Sequence, residues 1–244
     1  MKVEGSAVLV TGANRGLGAA IAQALLDSGA KVYGGARDTT SITNPGVIPV
    51  RLDVTNAVDV DNVAARCRDV SIVVNNAGIG RASSSLAPDA MDAAQAEMET
   101  NFFGPLRVAR TFAPGLRNNG GGALVNVLSV LSFISMPQVA TYSASKAAAW
   151  SLTNGLRIEL RHQGTLVVAV HAAFIDTDMA AGVDAEKVSP QAVAAQIVTA
   201  IEADAEEVLA DATSEMVKAA LANDLKTLYP ALQAQWDAAQ AVSR

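Results

Sequence analysis

The sequence predicts an α/β chain: a doubly wound parallel sheet of about seven strands with helices on both faces. Short Val-rich runs recur between helical patterns along most of the chain, the alternation that yields parallel strands joined by crossover helices. Half the residues are hydrophobic but only 4% are aromatic, so Ala, Val and Leu make up a core of closely packed helices on a buried sheet. A glycine-rich turn follows the first strand directly and opens a helix. The 244 residues are read as one domain, 1–244.

Ala7–Val10 is the first strand. Thr11-Gly-Ala-Asn-Arg-Gly-Leu-Gly18 makes the turn, and the helix after it turns Ile21, Ala24 and Leu25 inward. Backbone N–H groups at such a helix start face a ligand, and the helix dipole favours negative charge. Gly12, Asn14, Arg15, Gly16, Leu17 and Gly18 are therefore candidate contacts to an anionic cofactor. Their glycines run GxxxGxG, unlike GxGxxG, and no Gly-Lys-Ser/Thr of a triphosphate loop is present. Lys31–Gly34 is the second strand. About twenty residues past the glycine loop, an NAD site places an acid on the ribose 2′-hydroxyl. Here Ala36 and Arg37 stand there, with Arg15 as a second cation nearby. Two guanidiniums and no carboxylate suit a 2′-phosphate, which points to NADP(H).

Val47–Leu52 is a third strand ending at Asp53-Val54, and Asn56 caps a helix to about Arg68 with Val60, Val63, Ala64 and Cys67 on its apolar side. Ser71–Val74 runs straight into Asn75-Asn-Ala-Gly78. A long helix is predicted from about Pro88 to Leu116, with Pro105 inside it. Proline cannot donate to the carbonyl four residues back, here that of Asn101. Ala123–Leu128 is the fifth strand and leaves Ser129 at its C-terminal end. Tyr142 opens a helix to about His162, and Thr165–Ala172 is the sixth strand. Ser189 as N-cap and Pro190 at N1 start a helix to about Glu202. Glu206–Ala210 is the seventh strand, followed by helical segments around 214–228 and 230–241.

Tyr142 and Lys146 share one helix face at i, i+4. A lysine there favours the phenolate and lowers a tyrosine pKa that starts near ~10, so that the phenol trades a proton near neutral pH.

TGANRGLG at 11–18, NNAG at 75–78, Asn101, Ser129 and YSASK at 142–146 together resemble the short-chain dehydrogenase/reductase family, over residues 5 to about 180. The resemblance implies a Rossmann fold with a cofactor-binding part over about 1–125 and a catalytic and substrate part over about 126–244. By the same resemblance Asn101, Ser129, Tyr142 and Lys146 form the catalytic set. Asp53, Val54, Asn75, Ala77, Gly78, Ile175 and Thr177 join the glycine loop, Arg37, Tyr142 and Lys146 around NADP(H). Ser129 and Tyr142 would hold the carbonyl oxygen, with Tyr142 as the acid. Lys146 would also bind the nicotinamide ribose, and the Asn101 carbonyl would hold a relay water, freed in part by Pro105. NADPH-dependent reduction of a ketone or aldehyde is the implied activity. Alternatives are an alcohol dehydrogenase working in the oxidising direction and a non-catalytic NADP-binding sensor. A sugar-nucleotide epimerase or dehydratase fits less well, given the glycine spacing and short tail.

Two departures stand out. Ala172-Ala173 replaces the family's usual Pro-Gly, and the Gly-rich strand segment that ends fatty-acid-synthesis reductases is absent, which weakens an acyl-carrier substrate. Ile79, Leu131, Ile134, Met136, Phe174 and Met179 suggest an apolar pocket for a small hydrophobic carbonyl or alcohol. A formal charge of −6 and no basic block exclude nucleic acid as a partner. No apolar run is long enough for a membrane span or a signal peptide, so the expected compartment is the cytoplasm. Cys67 is the single cysteine, read as a small core residue. His162 and His171 lack partners at metal-ligand spacing, so no metal is expected. Family members commonly pair through the two long helices, so a homo-oligomer, dimer or tetramer, is expected.

Overall fold

A computed structural model of the chain describes residues 1–242, and the surroundings of side chains through residue 238. Seven parallel strands form one sheet in the order β3-β2-β1-β4-β5-β6-β7. They are β1 Ala7–Thr11, β2 Lys31–Ala36, β3 Ile48–Arg51, β4 Val70–Asn75, β5 Ala123–Val127, β6 Leu166–His171 and β7 Glu207–Leu209. The order reverses beside β1, which pairs with β2 on one side (Val8 with Val32) and β4 on the other (Val8 with Ile72). Connections leave in opposite directions there, opening a crevice beyond the strand C-termini.

Helices cover both faces because successive strand side chains alternate. Val8 and Val10 of β1 join a core with Ile21 and Leu25 of α1 (Gly16–Asp27) and Ile197 and Ile201 of α6 (Pro190–Glu202). Leu9 faces the other way, into a core with Val60 and Val63 of α2 (Ala57–Arg66). That core also takes Phe112 and Leu116 of α4 (Gly104–Asn118) and Leu156 and Leu160 of α5 (Ala140–Leu160). All five of Leu9, Ile21, Leu25, Ile197 and Ile201 are fully buried. Truncating one to Ala would cost about 2–5 kcal/mol. Both predicted caps form: Asn56 accepts the Val58 and Asp59 N–H groups, and Ser189 accepts that of Ala192 ahead of Pro190.

The predicted helix from Pro88 to Leu116 is divided. α3 (Ala90–Met98) passes into a π turn, Glu99–Phe103, before α4 begins. The Gly104 N–H reaches back five residues to the Glu99 carbonyl. The amide that a regular helix would aim at the Asn101 carbonyl belongs to Pro105 and does not exist. Gly104 also lies where a Cβ would come within 2.9 Å of Val54 Cγ2, so the turn seats tightly under the end of β3. The chain after β7 forms α7 (Ala212–Ala220), α8 (Asp224–Thr227) and α9 (Tyr229–Val242). Val217 and Leu228 pack on Val130 and Ile134, just past Ser129, so Ile134 belongs to a core rather than to an open pocket. No described helix is long and apolar enough to cross a membrane.

Candidate active site

The glycine loop closes over the end of β1. Gly12 and Gly16 hold φ of +66° and +53°, the left-handed region that glycine enters without steric cost. At Gly18 the reason is contact: a Cβ would lie 2.0 Å from the Gly12 carbonyl oxygen. Arg15 occupies the N-cap of α1 but makes no side-chain cap bond, and no acid lies in the first turn. The helix start is thus uncapped by its own chain, as an anion site requires. The Leu17 side chain is buried in the core, so only its backbone faces the crevice.

Arg15 and Arg37 are both exposed beside this loop. Arg15 pairs across the crevice with Asp178 at 3.1 Å, and both side chains are largely exposed, so the pair is weak. Asp38, the acid nearest the end of β2, is turned to its own loop: Oδ1 accepts the Thr40 N–H at 2.9 Å and its hydroxyl at 2.7 Å. Burial pushes the Asp53 carboxyl up, but hydrogen bonds from Thr55 and the charges of Arg37 and Arg51 outweigh it and hold the group below its ordinary range. Thr177 sits over the loop, its Cγ2 3.2 Å from where a Gly16 Cβ would be. Ile175 bridges to Val188, which closes the base of the 175–188 segment.

β4 supplies the crevice floor. Thr11 Oγ1 accepts the N–H groups of both Asn76 and Ala77 at 3.0 Å, and Asn76 Nδ2 donates to the Thr11 and Gly12 carbonyls. These bonds tie the glycine loop to NNAG. Asn75 points elsewhere: its Nδ2 donates to Asn126 Oδ1, which leaves only its backbone toward the crevice. Thr11, Asn76 and Asn126 were not singled out from the sequence, although the first two lie inside the motifs that were.

On the other side Ser129, Tyr142 and Lys146 converge. Ser129 is buried at the end of β5; its Oγ accepts the Leu131 N–H at 3.1 Å and donates to the Ala172 carbonyl at 3.5 Å. Behind it, His171 Nδ1 lies 3.1 Å from the Ser129 carbonyl oxygen. Tyr142 is half-buried, and Lys146 Nζ stands 5.7 Å from its ring centroid. Nζ donates to the Val127 carbonyl at 2.9 Å. Asn101 is locked by three bonds: Oδ1 accepts the Ile79 N–H, and Nδ2 donates to the Ile79 carbonyl and to Ser145 Oγ. Gly78 lies between, where a Cβ would stand 3.2 Å from Asn101 Oδ1 and 3.6 Å from Lys146 Nζ.

The electrostatics differ from the sequence expectation. Burial pushes the Tyr142 phenol up to about 12, the Ser129 hydroxyl opposes this, and the charge of Glu97 adds to it. Lys146 is not among the groups that move the phenol, because a lysine that titrates near 8 is neutral before a phenol near 12 ionises. Burial likewise brings Lys146 down to about 8. The phenol is therefore protonated at neutral pH.

Ala172-Ala173 raises no strain. Among the described residues, positive φ outside glycine is confined to Ala82 and Asp204, so Ala173 does not need the conformation that glycine accepts. The Ala172 carbonyl accepts the Val130 N–H at 2.9 Å, and the Ala173 N–H donates to Asp211 Oδ2 at 2.7 Å. Of the suggested pocket residues, Met179 is 62% exposed at the crevice edge. Cys67 is buried and its thiol is pushed up by that burial.

A family model described as short chain dehydrogenase matches residues 6–188. A short-chain dehydrogenase from Burkholderia cenocepacia J2315, solved with NADP, is 40% identical, with 95% of this chain and 99% of that chain covered at a TM-score of 0.91. A second, from Burkholderia phymatum and solved with NAD, is 25% identical over 89% of this chain and 93% of that one, at a TM-score of 0.81. The 3-oxoacyl-acyl-carrier-protein reductase of Vibrio cholerae is 32% identical over 77% of this chain and 80% of its own length.

Proposed function

The chain belongs to the short-chain dehydrogenase family, and from that premise we propose that it is an NADPH-dependent reductase of ketones or aldehydes. One observation carries the reading: Ser129, Tyr142, Lys146 and Asn101 meet at the strand ends opposite an uncapped helix start. Residues 1–125 would hold the cofactor and 126–244 the catalytic and substrate groups, within one domain.

NADPH supplies the hydride when bound. Its diphosphate suits the amides of Gly16, Leu17 and Gly18, and its 2′-phosphate suits Arg15 and Arg37. Arg37 rather than an acid directly follows β2, which supports NADP over NAD; Asp38, next along, has Oδ1 bonded to Thr40. The cofactor named for the B. cenocepacia relative supports the same choice. Asp53, Val54, Asn75, Ala77, Gly78, Ile175 and Thr177 would line the rest of the cofactor channel, several through backbone alone.

In the reaction, Ser129 Oγ–H donates to the substrate carbonyl oxygen and Tyr142 transfers its phenolic proton to that oxygen as negative charge develops. A phenol held high by burial starts protonated at neutral pH, which suits reduction. Lys146 then supplies positive charge near the phenolate and donates to the ribose. The Asn101 carbonyl, which has no α-helical partner at Pro105, holds the water that returns a proton from solvent. The substrate is a small, largely apolar carbonyl compound. The enzyme works in the cytoplasm as a homo-oligomer, with no membrane or nucleic-acid partner.

The test is a panel of ketones and aldehydes assayed with NADPH and NADH, for the parent and for Tyr142→Phe. NADPH oxidation should fall by about 10²–10⁴-fold in the variant while NADPH binding, read by fluorescence, persists. Substantial turnover by the variant would refute Tyr142 as the acid.

A further inference from the structure

His171 is fully buried on β6, and the reaction proposed above makes no use of it. Its ring holds both ends of one short turn. Nδ1 lies 3.1 Å from the carbonyl oxygen of Ser129, where the turn begins. At the far end the imidazole stacks on Phe133, with 4.0 Å between centroids and 23° between planes. Inside the turn Ser129 closes a capping box: its Oγ accepts the Leu131 N–H, and Ser132 Oγ accepts the Ser129 N–H. The Ser129 carbonyl accepts the Ser132 N–H at 2.9 Å as well. Ser129 is thus fixed from within its own turn and, across the sheet, by His171.

That contact decides where the imidazole keeps its proton. A carbonyl oxygen only accepts, so Nδ1 carries the hydrogen and Nε2 is left with a lone pair. Nε2 is buried and has no hydrogen-bond partner among the described residues. Glu207 Oε1 lies 3.9 Å from it but accepts from Lys218 at 2.7 Å and, as a carboxylate, has no proton to give. Burial brings the ring's pKa down to about 4, in keeping with a neutral imidazole. A bare buried nitrogen costs stability. An apolar side chain beside Phe133 and Trp150 would avoid that cost, but it would not donate to Ser129. We propose that His171 is a positioning residue: as the neutral Nδ1–H tautomer it fixes the Ser129 carbonyl and so aims the Ser129 hydroxyl at the reacting oxygen. This rests on Ser129 being a donor to that oxygen. The imidazole itself touches neither substrate nor cofactor; it acts through the turn that it grips.

His171→Asn places an N–H where Nδ1 stands, whereas His171→Leu fills the space and donates nothing. In steady-state reduction with NADPH near neutral pH, kcat of His171→Leu should fall by about 10–10²-fold and that of His171→Asn by less than about threefold. KM for NADPH should stay unchanged in both. Leucine is the better filler beside Phe133, so His171→Leu should melt at least as high as His171→Asn. Turnover that follows melting temperature rather than the N–H donor marks a structural role only and overturns the proposal. In a Ser129→Ala background His171→Leu should lower kcat no further, and losses that multiply overturn it too. If His171→Leu does not fold, nitrogen-15 NMR of His162→Gln decides, because His171 is then the one histidine left. A neutral ring protonated on Nδ1 is expected. A proton on Nε2, or on both nitrogens, at neutral pH overturns the proposal. Ser129→Ala keeping the parent's kcat would instead refute Ser129 as the donor, and with it the reading of the site on which the proposal rests.

Discussion

The two walls of the crevice are built by different means. The glycine-loop wall is made of backbone: Gly12, Gly16 and Gly18 set its path, and Thr11 and Asn76 fasten it to β4. The candidate catalytic wall is made of side chains, Asn101, Ser129, Tyr142 and Lys146, brought from three separate stretches of sequence. A backbone wall fails when an atom is added, and a side-chain wall fails when one is removed.

Gly18→Ala should give the largest effect on the first wall. Its methyl would stand 2.0 Å from the Gly12 carbonyl oxygen and 2.5 Å from Asn76 Nδ2, so the loop must move. About 1–3 kcal/mol of stability should be lost in thermal melts, and NADPH should no longer bind in titration calorimetry. Retained binding would show that this wall tolerates displacement.

Ser129→Ala removes one oxygen from the second wall. A drop in kcat of about 10²-fold is expected in steady-state reduction, with KM for NADPH nearly unchanged. A matching loss of NADPH affinity would blur the division between the walls.

His171 gives the catalytic wall a pH dependence that the glycine loop lacks. Burial brings its pKa down to about 4 from 6.5, against the Ser129 carbonyl and Glu207. The unfolded chain therefore binds more protons between these values. Stability is complete above about 6.5 and is lost as pH falls toward 4, by up to about 3 kcal/mol. Melting temperature against pH should show this slope in the parent and a flatter one in His171→Asn.

The smallest effect is at Arg37, which with Arg15 gives the backbone wall its positive charge. Arg37→Ala should raise KM for NADPH by about tenfold, roughly 1.4 kcal/mol, with little change for NADH. Equal losses with both cofactors would contradict the 2′-phosphate reading.

The same contrast explains what the sequence disclosed. The first wall was legible because backbone geometry demands glycine at fixed spacing within a few residues. Its strands were equally plain, since Val-rich parallel strands read as continuous apolar runs. The members of the catalytic set were legible one by one, through their motifs, but their electrostatics were not. Lys146 is four residues from Tyr142, yet burial, opposed by the Ser129 hydroxyl, governs the phenol. The division of the predicted long helix was half visible in Pro105, while the five-residue π turn before it depends on packing under Val54. Ile134 was misplaced in the pocket because its partners, Val217 and Leu228, lie more than eighty residues on.

The Asp211 carboxylate joins the walls' histories to the order in which the chain is made. One oxygen holds the Ala173 amide and the other caps α7 through Ser214, while the Ala172 carbonyl holds Val130 beside Ser129. The glycine loop and its β4 fastening lie within the first 78 residues, but the helix behind them, α1, packs on Ile197 and Ile201 of α6. The second wall waits in turn for Asp211, so both sides of the crevice depend on contacts from the last quarter of the sequence and neither is finished early.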